Sequence, residues 1–311
     1  MGLVFDTTRP IGVPLLDSCP ADVTIREGGP PSEDRLEGEP IAAYRHGEVE
    51  YYSLFRHPAG YTLRVHTLCD FLISADASSV ECRPLAATAE DTVSVLLTGT
   101  VTAVLWMLLG RAVLHASAVR RGSQAFALAG PSGSGKSTVA ALCCAAGASL
   151  LSDDLVVLDH TQDRVRCVGR ASELRLRSGM RSVTSLWPAE PPTRETADGR
   201  TAVKAGPDDR SDHDAVPLGA VALLHPSTKA KAIRLTRLFG ADAVFALLGQ
   251  SRVAGLADRR FNADLMSSVA ALVRQVPVVA AEIPWQPPFT VGAGERILET
   301  LDALPGALTV A

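Results

Sequence analysis

The glycine-rich segment at residues 130–138 reads GPSGSGKST, and it decides the fold class of this chain. Its first eight residues satisfy the pattern GxxxxGK(S/T), in which small residues let consecutive backbone N–H groups converge on a phosphate. An apolar run, QAFALA at residues 124–129, precedes the segment, and helix-forming residues follow from Lys136. A strand, a glycine-rich loop and a helix in this order predict an α/β fold with a nucleotide-phosphate site where the helix begins.

Each residue type in this loop has a role in the prediction. Lys136 is expected to reach the β and γ oxygens of the nucleotide, and the Ser137 hydroxyl is expected to bind the Mg²⁺ that bridges them. The predicted cofactors are therefore ATP and Mg²⁺. A purely structural glycine-rich turn is the alternative, which the flanking strand and helix disfavour. The predicted nucleotide-binding residues are Gly130, Pro131, Ser132, Gly133, Ser134, Gly135, Lys136, Ser137 and Thr138.

Two aspartates follow the loop closely. Asp153 and Asp154 lie in the run SLLSDDLVVL at residues 149–158, which has strand character around this polar centre. A carboxylate beside a phosphate loop can hold Mg²⁺ or accept the proton of an attacking hydroxyl, and two adjacent carboxylates can divide those tasks. An ordinary Asp-Asp turn is the alternative. Upstream, His115 lies in the strand-like run AVLHASAV at residues 112–119, where a core histidine is the alternative to a site residue.

Together these residues resemble the HPr serine kinases and their relatives, whose fold is shared with phosphoenolpyruvate carboxykinases. His115 precedes Gly130 by 15 positions, the loop has the form GxSGxGKS, and Asp153 follows Lys136 by 17 positions. The resemblance extends over residues 114–159. It implies an α/β protein of mixed α+β type, with a P-loop kinase core of the HPr kinase and phosphoenolpyruvate carboxykinase type and an N-terminal β-rich region.

The same resemblance implies roles for the residues outside the loop. Asp153 would be the general base that takes the proton from a serine hydroxyl of the substrate, and Asp154 would assist the metal. His115 would lie beside the reacting phosphate. The implied catalytic residues are Asp153, His115 and Lys136, and the implied metal ligands are Ser137, Asp154 and Glu173.

The segment SELRLR at residues 172–177 carries a weaker signal. Glu173 resembles the family's glutamate that reaches Mg²⁺, and Arg175 follows it by two positions as the family's arginine does. A solvated set of charges on a strand edge is the alternative for both residues. Arg252 is a still weaker candidate for an arginine that faces the phosphates.

Two departures from the HPr kinases bear on the substrate. Thr138 stands where true HPr kinases carry an acidic residue, and the glycine-rich signature around their glutamate is missing. The chain looks more like the stand-alone HPr-kinase-related proteins of ribosomal peptide pathways, which include lasso peptide kinases that phosphorylate a C-terminal serine of a precursor. This resemblance implies a kinase whose acceptor is a peptide or protein with a serine hydroxyl.

Composition excludes several other classes of protein. The net charge of −4 leaves no excess of Lys and Arg to neutralise a phosphate backbone, so nucleic acid is not an expected partner. The six cysteines form no CxxC pair and share no spacing with histidines, which predicts reduced thiols rather than zinc ligands or disulfides. With no export or lipid-anchor signal at the N-terminus, we expect a cytoplasmic protein. Its composition is compatible with a homo-oligomer.

Three regions are predicted along the chain. Short alternating runs at residues 41–85 indicate antiparallel strands, so residues 1–90 are expected to be β-rich, with a loose loop at 27–40. Residues 91–285 would hold the P-loop core, and residues 286–311 a C-terminal tail helix. Five prolines and the cluster DDRSDHD predict a mobile excursion, a candidate lid, at residues 188–217, whose acids are more typical of a solvated loop than of a metal site.

One apolar stretch, TVSVLLTGTVTAVLWMLLG at residues 92–110, approaches the length of a membrane span. Its four Thr, one Ser and two Gly, bounded by Asp91 and Arg111, favour a buried helix of a folded domain. A membrane helix is the alternative, and we expect no membrane association.

Three other functions fit the same motifs. A small-molecule kinase would use the same machinery, because the sequence does not define an acceptor pocket. A nucleotide-gated regulator or ATPase component would hydrolyse ATP without an acceptor, although the chain has no LSGGQ-like segment to support it. A binding module that keeps the fold for peptide recognition would not bind ATP.

Overall fold

The computed structural model describes residues 3–7, 21–31, 36–161, 163–169, 171, 173–196, 199–205 and 215–304, which form a mixed α/β protein with several sheets. The chain divides into two compact units. Unit 1 is built from Ala112–Ser251 and from the chain beyond Met266, and unit 2 from Leu3–Arg111 and Arg252–Leu265.

Unit 2 is organised around a seven-stranded sheet with the strand order β1-β2-β7-β6-β5-β4-β3. Strands β3 to β7 form an antiparallel meander, as the alternating runs predict, and β2 joins it parallel to β7. Large apolar side chains such as Leu54, Leu63 and Phe71 are fully buried. The strands are β1 (Phe5–Thr7), β2 (Val23–Glu27), β3 (Glu39–His46), β4 (Val49–His57), β5 (Gly60–Val65), β6 (Cys69–Ser74) and β7 (Ser79–Pro84).

The apolar stretch of unit 2 forms one long helical segment. It consists of α1 (Glu90–Leu96), a π-helical turn (Leu97–Val101) and α2 (Thr102–Leu108). By length and composition alone, this segment is long and apolar enough to cross a membrane, but the core helix of a folded domain passes the same test. Within its apolar window, 39% of the segment is buried. The hydroxyls of Thr98 and Thr102 donate to backbone carbonyls within the segment, so these polar groups are satisfied inside the helix itself.

Arg64 and Asp70 form a buried ion pair in the sheet of unit 2. Arg64 donates from Nε to Asp70 Oδ1 over 2.8 Å and from Nη2 to Asp70 Oδ2 over 2.7 Å, and the Asp70 side chain is 5% exposed. Removing one partner of such a pair leaves a charge buried without compensation.

Replacing Arg64 by Ala should therefore lower the free energy of unfolding by about 3 kcal/mol. Denaturant titration measures this, with Arg45→Ala as the matched control because Arg45 pairs with Glu50 while 68% exposed. That control should cost about 0.5 kcal/mol or less. Equal losses in the two variants would contradict the assignment of a structural role to the buried pair.

Unit 1 is built on a nine-stranded sheet whose centre is parallel. Strand β17 lies parallel to both β10 and β19, while β9, β11, β12, β13 and β18 join in antiparallel pairs. Its strands are β8 (Val113–Leu114), β9 (Ala116–Arg121), β10 (Gln124–Ala129), β11 (Ser149–Ser152), β12 (Val156–His160), β13 (Val165–Val168), β17 (Val216–Ser227), β18 (Arg234–Leu238) and β19 (Val278–Pro284). Strand β10 lies in this parallel centre, and the glycine-rich loop follows directly from its C-terminal end.

The helices of the remaining described chain include the one expected to begin at Lys136. They are α3 (Lys136–Ala145), α4 (Gly240–Leu248), α5 (Arg259–Gln275), within which the chain passes from unit 2 to unit 1, and α6 (Ala293–Asp302). Gly147 follows α3 with a φ of 91°, a conformation in which glycine commonly ends a helix. Helix α6 packs closely on α3, since a Cβ added to Gly294 would overlap the backbone oxygen of Leu142.

Two predicted strands are each broken where a polar residue interrupts them. The run at residues 112–119 forms β8 and β9, separated at His115, because β8 pairs with β12 while β9 pairs with β10 and β11. The run at residues 149–158 forms β11 and β12, separated at Asp153 and Asp154. Asp154 has a φ of 76°, and the Ser152 hydroxyl donates to the Leu155 carbonyl across this turn. Each change of pairing partner brings a polar residue out of the regular sheet.

The prediction of a mobile excursion at residues 188–217 is wrong for the part that the structure describes. Residues within it form β15 (Thr193–Glu195) and β16 (Arg200–Lys204), which join β14 (Glu173–Arg177) in a three-stranded sheet. Ala202 and Val203 are 1% and 0% exposed. The prolines lie outside β15 and β16 rather than within them, so the proline content of this segment wrongly indicated a loop. The acidic cluster at residues 208–214 lies outside the described residues.

Candidate nucleotide site

The glycine-rich loop connects β10 to α3 and depends on glycine at its turning points. Gly130, Gly133 and Gly135 have φ values of 148°, 87° and 86°, which residues with a Cβ rarely adopt. The tip at residues 131–133 is exposed, whereas Ser134 and Thr138 are buried. The loop therefore presents backbone to solvent at the N-terminal end of a ten-residue helix, where the helix dipole favours an anion.

Lys136 lies inside this loop and is only 7% exposed. Its Nζ donates to the carbonyl oxygens of Gly130 and Pro131 over 2.9 and 3.2 Å. A buried ammonium requires polar or charged neighbours. The Ser134 hydroxyl is also buried and has no hydrogen-bond partner in the part of the chain that the structure describes. A buried cation and an unused hydroxyl in one glycine-rich loop fit an anion such as a phosphate.

Asp153 joins the loop to three neighbouring elements. Its Oδ1 accepts hydrogen bonds from Ser137 Oγ at 2.8 Å and from Ser117 Oγ at 2.7 Å, and its Oδ2 accepts one from the Arg175 backbone N–H at 2.9 Å. Ser137 belongs to the first turn of α3, Ser117 to β9 and Arg175 to β14. The carboxylate is therefore held in one orientation directly beside the loop serine.

The surroundings of Asp153 change its acidity. Burial raises the pKa of Asp153, and the negative charge of Asp154 acts in the same direction. The hydrogen bonds from the Arg175 amide, Ser117 and Ser137 lower the pKa without cancelling the effect of burial. A carboxylate with a raised pKa is a stronger base than an ordinary aspartate, which is a property found at catalytic positions.

His115 and Asp154 form a second pair at the two strand breaks. His115 Nε2 lies 3.0 Å from Asp154 Oδ1, with side chains 31% and 47% exposed. The backbone N–H of His115 donates to the Gln250 carbonyl over 2.7 Å, which fixes the position of the break. The two side chains are open to solvent, so they are accessible to a ligand. The alternative of a satisfied core histidine does not describe His115.

Glu173 occupies a different environment from the other predicted metal ligands. Its carboxylate accepts a hydrogen bond from Arg194 Nη2 at 2.9 Å on the small sheet of β14, β16 and β15. No cluster of three or more His, Cys, Asp and Glu side chains that could hold a metal ion occurs among the described residues. Mg²⁺ usually takes one or two carboxylates together with phosphate oxygens and water, so a preformed cluster is not required. The structure assigns Arg252 to unit 2, whereas the loop belongs to unit 1.

The loop motif does not identify three further residues that lie at the site. Ser117 is 0% exposed in the apolar first part of β9, and a buried hydroxyl in such a run was the available clue. Arg177 and Trp285 each lie against a loop glycine, and that contact depends on the tertiary fold. The ring of Trp285 covers Gly135 and meets Phe289 edge-on, with centroids 5.1 Å apart.

Replacing Gly135 by Ala should destabilise the loop for two reasons. The residue would hold a positive φ, and its Cβ would overlap the Trp285 ring, with Cζ3 only 2.6 Å away. We expect the free energy of unfolding to fall by about 2 kcal/mol. In a double-mutant cycle with Trp285→Ala, the two losses should be less than additive by about 1 kcal/mol. Strict additivity would show that the ring does not constrain position 135.

Comparison with known proteins gives little information about this chain. No family model and no curated protein matches it. Among solved structures it is similar to the Hpr(Ser) kinase/phosphatase from Coxiella burnetii, with 14% identity and a TM-score of 0.30 over 61% of this chain and 87% of that chain. A TM-score this low carries no conclusion about fold or activity. The geometry of the site is therefore the stronger guide to function.

Proposed function

We propose that this protein is a kinase dependent on ATP and Mg²⁺ that transfers the γ-phosphoryl group to a serine-type hydroxyl. The observation that carries the proposal is the 2.8 Å hydrogen bond from Ser137 of the loop to Asp153. It joins a residue suited to the metal with a carboxylate suited to proton transfer, beside a buried lysine. A glycine-rich turn with only a structural role needs none of these three groups.

The residues divide between holding the nucleotide and acting on the acceptor. The loop amides and Lys136 would hold the β and γ phosphates, and the Ser137 hydroxyl and Asp154 would hold Mg²⁺, which supplies charge neutralisation when it is bound. Glu173 would contribute to the metal only after leaving Arg194, which costs little because Arg194 is 52% exposed. His115 would lie beside the phosphate through its contact with Asp154.

Asp153 would act as the base in the transfer step. Its Oδ2 accepts one hydrogen bond and keeps a lone pair for the proton of the acceptor hydroxyl. As that proton moves to Asp153, the acceptor oxygen forms a bond to the γ-phosphorus, and the bond from this phosphorus to the β–γ bridging oxygen breaks. The products are a phosphorylated acceptor and ADP, and Asp153 then releases the proton to solvent.

The proposed acceptor is a peptide or protein, with a ribosomal precursor peptide of the lasso type as one case. The support for this class is the resemblance in the motifs around residues 114–159. The five described cysteines are buried and form no disulfide with one another, which fits the cytoplasmic location that we propose.

Transfer from γ-labelled ATP tests the proposal directly. The wild-type protein, ATP and Mg²⁺ should label serine peptides in a panel, and mass spectrometry should find a gain of one phosphoryl group on serine. Labelling of small alcohols alone would make the protein a small-molecule kinase. Phosphate release without any labelled acceptor would favour an ATPase or regulator, and an absence of ATP binding would refute the nucleotide site.

A further inference from the structure

Arg177 places a guanidinium group beside the tip of the glycine-rich loop. A Cβ added to Gly133 would lie 3.6 Å from Arg177 Nη2, 3.7 Å from Nη1 and 3.9 Å from Cζ. The two terminal nitrogens and Cζ are all near this position, so the guanidinium lies against the tip of the loop. A guanidinium can offer two parallel N–H donors to two oxygens of one phosphate.

Arg177 has no paired carboxylate among the residues that the structure describes, whereas Arg194 on the same small sheet is paired with Glu173. The register partner of Arg177 on β16 is another arginine, Arg200, rather than an acid. An anion beside Gly133 would therefore approach Arg177 without displacing a described carboxylate.

Strand β14 connects Arg177 to the carboxylate of the site. The backbone N–H of Arg175 donates to Asp153, and Arg177 follows on the same face of the strand about 7 Å further along. One strand thus fixes Asp153 at one point and brings a cation to Gly133 at the next. Arg177 ends β14, and a 3₁₀ helix (Ser178–Leu186) follows at once, so the backbone at this position is held on both sides.

We propose that Arg177 binds the γ-phosphoryl group of the nucleotide as an arginine finger supplied by the same chain. It would donate two hydrogen bonds to γ-phosphoryl oxygens and offset the charge that shifts toward the β–γ bridging oxygen during transfer. This inference rests on the proposed function and extends it, because neither the loop motif nor the aspartate pair assigns a role to residue 177.

Calorimetric titration with ATP and with ADP, both with Mg²⁺, tests the inference by binding as well as by turnover. Arg177→Ala should raise the dissociation constant of ATP about tenfold and that of ADP less than about twofold, because ADP has no γ-phosphoryl group. Turnover should fall about 10³-fold. Arg177→Lys keeps the charge without the fork, so its loss of ATP affinity should be smaller than that of the Ala variant.

Arg274→Ala is the matched control. Arg274 is an exposed arginine in the last turn of α5, just before the N-terminal end of β19, whereas the loop follows the C-terminal end of β10 in the same parallel sheet. The inference is overturned if Arg177→Ala binds ATP as tightly as the control, or if it loses ATP and ADP affinity equally. A wild-type protein that binds neither nucleotide would refute the nucleotide site itself, which is a different result.

Discussion

Replacing Asp153 by Asn is expected to lower the rate of phosphoryl transfer about 10³-fold while the affinity for ATP stays within about threefold of the wild type. Asn has nearly the same shape, and its amide oxygen can still accept the hydrogen bonds from Ser117 and Ser137. It cannot take the proton of the acceptor hydroxyl. Single-turnover kinetics at saturating ATP measure the loss, and thermal unfolding shows whether the fold is kept.

The pH dependence of transfer gives an independent check on Asp153. The ionised carboxylate is the active form of a base, so the rate should fall as the pH drops through its pKa. Because burial raises the pKa of Asp153 above the ordinary value of 3.8, this acid limb should lie at a higher pH than an exposed aspartate would give.

The same shift in the pKa of Asp153 also affects stability. The native protein binds this proton more tightly than the unfolded chain does, so the free energy of unfolding falls as the pH rises and Asp153 ionises.

Asp154→Asn is the matched control for this prediction. Asp154 adjoins Asp153 in sequence but is 47% exposed and pairs with His115. If it acts on the metal, its replacement should raise the Mg²⁺ concentration needed for half-maximal rate. The acid limb should remain but move to lower pH, because the charge of Asp154 contributes to the raised pKa of Asp153. If Asp154→Asn lost the acid limb of the pH profile while Asp153→Asn stayed fully active, the roles assigned to the two aspartates would be exchanged.

Replacing Lys136 by Met is expected to weaken ATP binding about 100-fold, which corresponds to the loss of about 2.7 kcal/mol from charge-assisted hydrogen bonds. Met has a similar volume, so the buried stem of the side chain keeps its packing while the ammonium is lost. The carbonyls of Gly130 and Pro131 lose their donor as well. Calorimetry with ATP measures the effect.

Lys231→Met provides the control for Lys136, because Lys231 is an exposed lysine between β17 and β18. It should bind ATP as the wild type does. If both lysine variants bound ATP equally well, Lys136 would have only the structural role of bridging loop carbonyls, and the anion site would be refuted.

The Lys136 and Asp153 variants together distinguish a kinase from a nucleotide-gated regulator. In a kinase, the loss at position 136 appears in binding and the loss at position 153 appears mainly in the chemical step. In a regulator without transfer, both variants would change only binding or the conformational response to it. The pair of measurements therefore separates the two classes without knowledge of the natural acceptor.

The sequence predicted the loop and its flanking elements well because their signals are local. Strand β10 coincides with the run QAFALA, and α3 begins at Lys136 as expected. Three loop glycines adopt positive φ values, which glycine tolerates more readily than any other residue, so the residue type itself indicates them. These features depend on neighbours within a few positions, so a single sequence was enough to define them.

The strand breaks at His115 and at Asp153 could not be predicted from periodicity. Apolar runs indicate burial, and the segments on both sides of each break contain buried residues. What differs is the strand with which each segment pairs, and pairing between distant segments leaves no local mark. The strands at residues 193–204 escaped prediction because prolines and charges around them are also typical of loops.

The sequence alone determined that the chain carries a glycine-rich loop between a strand and a helix, with two aspartates and a histidine at fixed distances along the chain. Only the tertiary structure decided that the Ser137 hydroxyl meets Asp153, that β14 presents an amide to this carboxylate, and that Arg177 lies beside Gly133. The physical reason is that loop conformation follows from residue type at adjacent positions, whereas a site is assembled by pairing between segments that are far apart in the chain.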